Sequence, residues 1–118
     1  MITLTEKNNI YLHIEAIDMR KQINGLLALI IDEFRAQPQT GHVYVFYNRS
    51  RDKVKVIYWD RNGFILIYKR LEKHKFKIPK NLSDEALTIT HDQLQWLLAG
   101  LDFTLMKQFS ELDYSNYY

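Results

Sequence analysis

The side chains with the clearest chemical potential in this chain are cations. Arg49, Arg51, Lys53, Lys55, Arg61, Lys69, Arg70, Lys73, Lys75 and Lys77 crowd one stretch of the sequence. Residues 49 to 80 carry eleven Lys/Arg against three Asp/Glu, while residues 1 to 48 carry four against five and residues 81 to 118 one against six. The segment totals of +8, −1 and −5 make up the net charge of +2. Segregation of this kind suits a polyanion, because clustered cations displace counterions from a phosphate backbone together. The alternative is that the lysines are the solvent face of a small sheet, where charge protects exposed strand edges. Tyr44, Phe46, Trp59 and Tyr68 are interleaved with these cations and are of a type that stacks on bases. Aromatic strand residues more often serve the core, so the basic groups rather than the rings are taken as the site.

Other chemistries find less support. Asp18, Asp60 and Asp102 would make a metal-binding acidic trio only if they converged, and each has a local reading: a helix cap, a turn residue and a residue following a helix stop. His13, His42, His74 and His91 lack the i, i+4 spacing of a zinc site and read as surface or strand residues. The absence of cysteine removes thiolate ligands, disulfides and cysteine nucleophiles. Gly25, Gly41, Gly63 and Gly100 are too scattered for a phosphate loop, and no serine nucleophile motif occurs. No cofactor, metal or catalytic residue is expected.

The elements that must position the cations form an α+β unit, an antiparallel β-meander packed against two main helices. At 118 residues with 47% hydrophobic and 25% charged content, the chain fits a single domain with its core over about 10 to 103. The longest apolar run, Leu26 to Ile31, is far short of the roughly 20 residues that span a bilayer. With no secretory signal pattern, a cytoplasmic location without membrane contact is expected. Ile10 to Ile14 reads as a first strand. Asp18 offers the N-cap of a helix to Arg35, whose apolar face is Ile23, Leu26, Leu27, Ile30, Ile31 and Phe34. Gln37-Pro38 and Gly41 end it.

From His42 the period becomes extended. Val43 to Tyr47, Val54 to Trp59 and Phe64 to Leu71 read as the meander. Asp60 to Gly63 suits a type I turn closed by a left-handed glycine, which sets Lys55 opposite Lys69; a two-residue Asn-Gly turn sets it opposite Arg70. Either pairing of like charges points mildly to an anion. Lys73 to Pro79 reads as a further extended segment with its lysines outward and Phe76 and Ile78 inward. Thr90 and Gln93 have capping-box spacing, Leu94, Leu97, Leu98 and Leu101 form a buried stripe, and Gly100 is a C-terminal stop. The tail over 110 to 118 lacks a period and is expected to fray.

Asp18-Met19-Arg20-Lys21, Gly25-Leu26 and Gly41-His42-Val43-Tyr44-Val45-Phe46 form one block of a wider pattern. A second comprises Arg49, Asp52, Lys55, Trp59-Asp60, Gly63, Lys69-Arg70-Leu71, Phe76 and Pro79, and a third runs from Leu87-Thr88 through Gln93-Leu94 and Leu98 to Gly100-Leu101-Asp102. In order and spacing, over roughly residues 18 to 103, they resemble the TnpB accessory proteins of the insertion sequence 66 family of transposons. The resemblance implies a non-catalytic role in transposition beside a separate, larger transposase, with transposon DNA, that transposase and other element-encoded proteins as partners. It carries over no catalytic residue. The RNA-guided nucleases that share the short name are a different group, since this chain is too short and lacks their cysteine zinc module. An arginine-rich C-terminal tail is common in the family, whereas an acidic, tyrosine-rich tail stands here. Two functions follow from the whole reading: DNA binding through a basic sheet surface, or a protein adaptor for the transposase without DNA contact. A nuclease is a distant third.

Overall fold

The computed structural model describes residues 8–80 and 86–105; the tail over 110 to 118 lies outside them. Five strands form one sheet: β1 (Ile10–Leu12), β2 (Val43–Tyr47), β3 (Lys53–Asp60), β4 (Gly63–Arg70) and β5 (Leu87–Ile89). Helix α1 (Ile23–Glu33) lies between β1 and β2, a short 3-10 turn (Pro38–Thr40) precedes β2, and α2 (His91–Leu98) follows β5. The strand order is β4-β3-β2-β1-β5.

The expected α+β class and the β2–β3–β4 meander are present, with one addition. β1 runs parallel to β2 and antiparallel to β5, so the sheet is mixed. The reason lies in the connection: α1 carries the chain back along the sheet, and β2 therefore starts from the same end as β1.

The sheet is covered on both faces. On one, Leu26 and Ile30 of α1 pack with Tyr44, Phe46 and Ile57; on the other, Leu94 and Leu97 of α2 pack with Val43, Val45, Val54, Val56, Phe76 and Ile78. Strand β2 faces both layers, which explains why Val-Tyr-Val-Phe-Tyr is apolar without alternation and buried at every position. Phe46 and Tyr44 are thus core residues, as their type suggested. Leu27 and Leu98 are only partly buried and Ile31 is 54% exposed, so the centre of each helical stripe is narrower than the periodicity suggested.

Helix α1 begins later than Asp18. Its N-cap is Gln22, which makes no side-chain cap bond. Asp18 instead accepts from the Arg20 backbone N–H at 2.9 Å and from the Arg20 guanidinium, and the backbone turns there through Lys21 N–H to Asp18 C=O. The cause is long-range: the carbonyls of Met19 and Lys21 accept from the Lys55 ammonium, each at 2.7 Å, and so are held away from helical partners.

The ends of the second helix follow their local signals, whereas Leu101, expected in the buried stripe, is 43% exposed beyond the helix. Thr90 and Gln93 form a complete capping box, and Gly100 takes a φ of +82° at the other end. There Gly100 N–H donates to Leu97 C=O and Leu101 N–H to Trp96 C=O, the two bonds of a Schellman close. Replacing Thr90 with alanine should therefore cost about 1 kcal/mol of stability, read as a lower urea midpoint with an unchanged slope.

Of the two readings for His13, surface or strand, it fits the second, following β1 with its N–H on the Val45 carbonyl. It is 3% exposed, with Nδ1 2.6 Å from the Glu15 carbonyl and Nε2 bonded to the Glu33 carboxylate, and it pins the last turn of α1 to the end of β1.

Candidate nucleic-acid interface

The β2–β3 turn is the hub of the basic surface. Asn48 organises it: its side-chain amide donates to Asp52 at 2.7 Å, and its side-chain oxygen accepts from Lys53 N–H at 3.0 Å. The amide bond holds the Asp52 carboxyl below its ordinary range, so Asp52 stays ionised and contacts the Lys53 ammonium at 3.3 Å. Arg51, with a φ of +60°, completes the turn.

Two hydrogen bonds bring the second half of the basic stretch to the same place. Leu71 N–H donates to Asp52 C=O and Phe76 N–H to Arg51 C=O, at 2.8 and 2.7 Å. Residues 71–78 thus pass alongside the β2–β3 turn. Phe76 and Ile78 are buried while Lys73, Lys75 and Lys77 are exposed, as the alternation suggested, although the segment forms no strand. Arg51, Lys75, Lys77 and Lys80 line a cleft of about 540 Å³ together with Phe76, Pro79, Asp102 and Thr104.

A second groove, of about 440 Å³, opens on the α1 side of the same turn. Arg20, Arg49, Lys53 and Tyr68 line it with Asp18 and Asn48. Hydrogen bonds from Arg20 lower the Asp18 carboxyl to about 2, so this groove keeps one resident carboxylate. Sequence reasoning omitted Arg20 and Lys80. Lys80 belongs to the same basic stretch and was within reach; Arg20 joins through a contact between distant segments that no local pattern announces.

The remaining candidates are placed differently. Lys53 and Arg70 are directly opposed on β3 and β4, and this is the like-charge cross-strand pair. Both registers expected for Lys55 are corrected: it pairs with Tyr68, because the hairpin closes at Asp60 and Gly63 with only Arg61 and Asn62 between them. Arg61, not Gly63, takes the positive φ, at +53°, which suits the twist of a two-residue loop.

Lys55 is 3% exposed and its ammonium, 5.5 Å from the Tyr68 ring centre, is spent on the Met19 and Lys21 carbonyls. Lys69 lies on the α2 side of the sheet and donates to the Leu98 carbonyl at 2.5 Å, capping the negative end of that helix. Arg61 sits at the far tip of the hairpin, roughly 24 Å along the strands from Lys53 and Arg70 at the usual rise per residue. It pairs with Asp60 at 3.6 Å, and Arg70 pairs with Glu72 at 2.9 Å. Among the described residues Arg49, Arg51, Lys73, Lys75 and Lys77 make no ion pair.

The three aspartates do not converge. Asp18 is engaged by Arg20, Asp60 lies at the hairpin tip, and Asp102 accepts from Thr104 backbone and hydroxyl at 3.1 and 2.6 Å. Among the described residues no group of three His, Asp or Glu is placed to hold a metal ion, and no helix is long and apolar enough to cross a membrane.

A mixed sheet between two helices, with several cations near the β2–β3 turn that make no ion pair among the described residues, defines a small α+β protein. Residues 8–108 match the family of IS66 Orf2-like proteins, and the chain belongs to that family. It is accordingly a transposition-associated accessory protein. It is 38% identical over 94 residues to the uncharacterized protein y4jC of Sinorhizobium fredii (strain NBRC 101917 / NGR234), covering 80% of each chain. It is 34% identical over 86 residues to the uncharacterized protein y4hO of the same strain, covering 73% of this chain and 74% of the other. No solved structure matches it.

Proposed function

We propose that this protein assists a separate transposase by holding transposon DNA through the cations around the β2–β3 turn, and that it performs no chemistry itself. The observation that carries this reading is the convergence of Arg49, Arg51, Lys75 and Lys77, which are far apart in sequence terms yet share one end of the sheet without carboxylate partners among the described residues. Lys53 and Arg70 add charge beside them. Lys55 is a buried donor, Lys69 is exposed but donates to the end of α2, and Arg61 lies apart, so these three are left out of the contact surface. The non-catalytic part rests on the local engagement of Asp18, Asp60 and Asp102.

The test is a salt titration of binding to duplex DNA carrying the element's terminal repeats, with and without the transposase. If about four phosphates are neutralised, log affinity should fall against log salt with a slope near −3.6. Sequence preference should be modest, because the sequence carries no helix-turn-helix or zinc-finger signature to read a major groove. The adaptor reading expects the reverse: no DNA binding at low salt, and association with the transposase instead.

A further inference from the structure

The two edges of the sheet are unequal. β5 is three residues long, while β4 presents an eight-residue edge, paired with β3 along its whole length without a bulge. The bond from Leu71 N–H to Asp52 C=O sets the phase of the β3–β4 ladder. Alternation then turns the odd-numbered residues of β4 toward β3 and directs the N–H and C=O groups of Phe64, Leu66, Tyr68 and Arg70 outward. The edge carries an apolar block, Phe64 to Tyr68, whose side chains are at most partly buried, with Tyr68 50% exposed. No proline or bulge interrupts it, and its cations, Lys69 and Arg70, stand at one end only. A long, regular apolar edge is a template for another strand.

The block also specifies which strand. Its midpoint, Leu66, is one of the outward-facing residues, so a two-fold axis through Leu66 brings two β4 edges together antiparallel with backbone groups in phase. In that register Leu66 meets Leu66, Phe64 meets Tyr68 and Ile65 meets Ile67 of the second copy. Lys69 falls opposite Gly63, and Arg70 reaches the hairpin tip that carries Asp60. Shifting the axis to Ile67 would set Ile65 against Lys69 and Phe64 against Arg70, placing charge on the apolar block. We propose that the protein forms a symmetric dimer through β4, joining two five-stranded sheets into one of ten, with Leu66 on the axis. This does not depend on the DNA-binding reading.

Sedimentation equilibrium on the full chain should give twice the 14.2 kDa chain mass. Leu66→Pro removes an outward N–H for which the described residues supply no strand partner, at an edge position where proline is tolerated, and should give monomer with an unchanged far-UV spectrum. Because the chain contains no cysteine, Leu66→Cys supplies a second readout that survives if the proline variant misfolds. Hydrogen-bonded antiparallel partners have Cα atoms about 5.5 Å apart, inside the disulfide range of about 4.4 to 6.8 Å. Mild oxidation should therefore link Leu66→Cys into a covalent dimer far faster than Ala28→Cys, which sits on an exposed face of α1. A monomeric wild type at every concentration overturns the proposal, as does a dimer or larger assembly that folded Leu66→Pro leaves intact or that Leu66→Cys fails to trap.

Discussion

Lys55→Glu is expected to lose about 3 to 5 kcal/mol of stability, the range for leaving a buried charge without its partner. The ammonium of Lys55 joins β3 to the segment leading into α1 by two 2.7 Å bonds, in a position that is 3% exposed. A carboxylate there faces the Met19 and Lys21 carbonyls, so repulsion replaces two charge-assisted bonds. Against a total of roughly 5 to 15 kcal/mol for a small domain, this brings the chain to the edge of unfolding. Lys55→Met leaves the same two carbonyls short of a donor but sets no carboxylate against them, so it should cost less, about 1 to 3 kcal/mol in all. Urea denaturation followed by circular dichroism should order the proteins wild type, Met, Glu from most to least stable. A Glu variant with the wild-type midpoint would show that the ammonium holds nothing together. The same reasoning removes Lys55 from any charge-reversal test of DNA binding, since lost binding would report lost fold.

Arg51, Lys75 and Lys77 are the better probe. They line one cleft, are not buried, and make no ion pair among the described residues. Reversing all three to glutamate should cut DNA affinity at low salt on the order of 10²- to 10³-fold and flatten the salt slope from near −3.6 to about −0.9, because three of about four phosphate contacts vanish. Stability should change little, as surface charges contribute small amounts. Arg61→Glu, at the far end of the hairpin, should leave both quantities nearly unchanged. If the triple variant keeps the wild-type slope, phosphate contact lies elsewhere; if the wild type binds no DNA while the triple variant loses the transposase, the surface is a protein-docking one.

Local signals were sufficient for the ends of α2 and for the alternation of the basic segment. The capping box at Thr90 and Gln93, the stop at Gly100 and the alternation of Phe76 and Ile78 with Lys75 and Lys77 all act over a few residues, and all are present. The start of α1 was misplaced because its determinant is Lys55, over 30 positions downstream, which claims the carbonyls that a helix from Asp18 would use. The hairpin register was misjudged because glycine is the residue that most easily adopts a positive φ, yet here Arg61 adopts it and Gly63 stays in the strand.

Charge segregation is a property of the sequence alone, and it located the basic stretch without any structure. Which of those cations face solvent is another matter, since charge and period say nothing about what lies across the sheet. Long, flexible lysine stems can as readily turn inward to a carbonyl as outward to water, and the choice depends on whether an unpaired acceptor stands within reach. Met19 and Lys21 provide such acceptors for Lys55, and the end of α2 provides one for Lys69. The sequence by itself determined that this chain carries a concentrated positive charge on an α+β frame; only the packing of α1 and α2 on opposite faces of the sheet decided which of those charges hold the fold together and which remain for a partner.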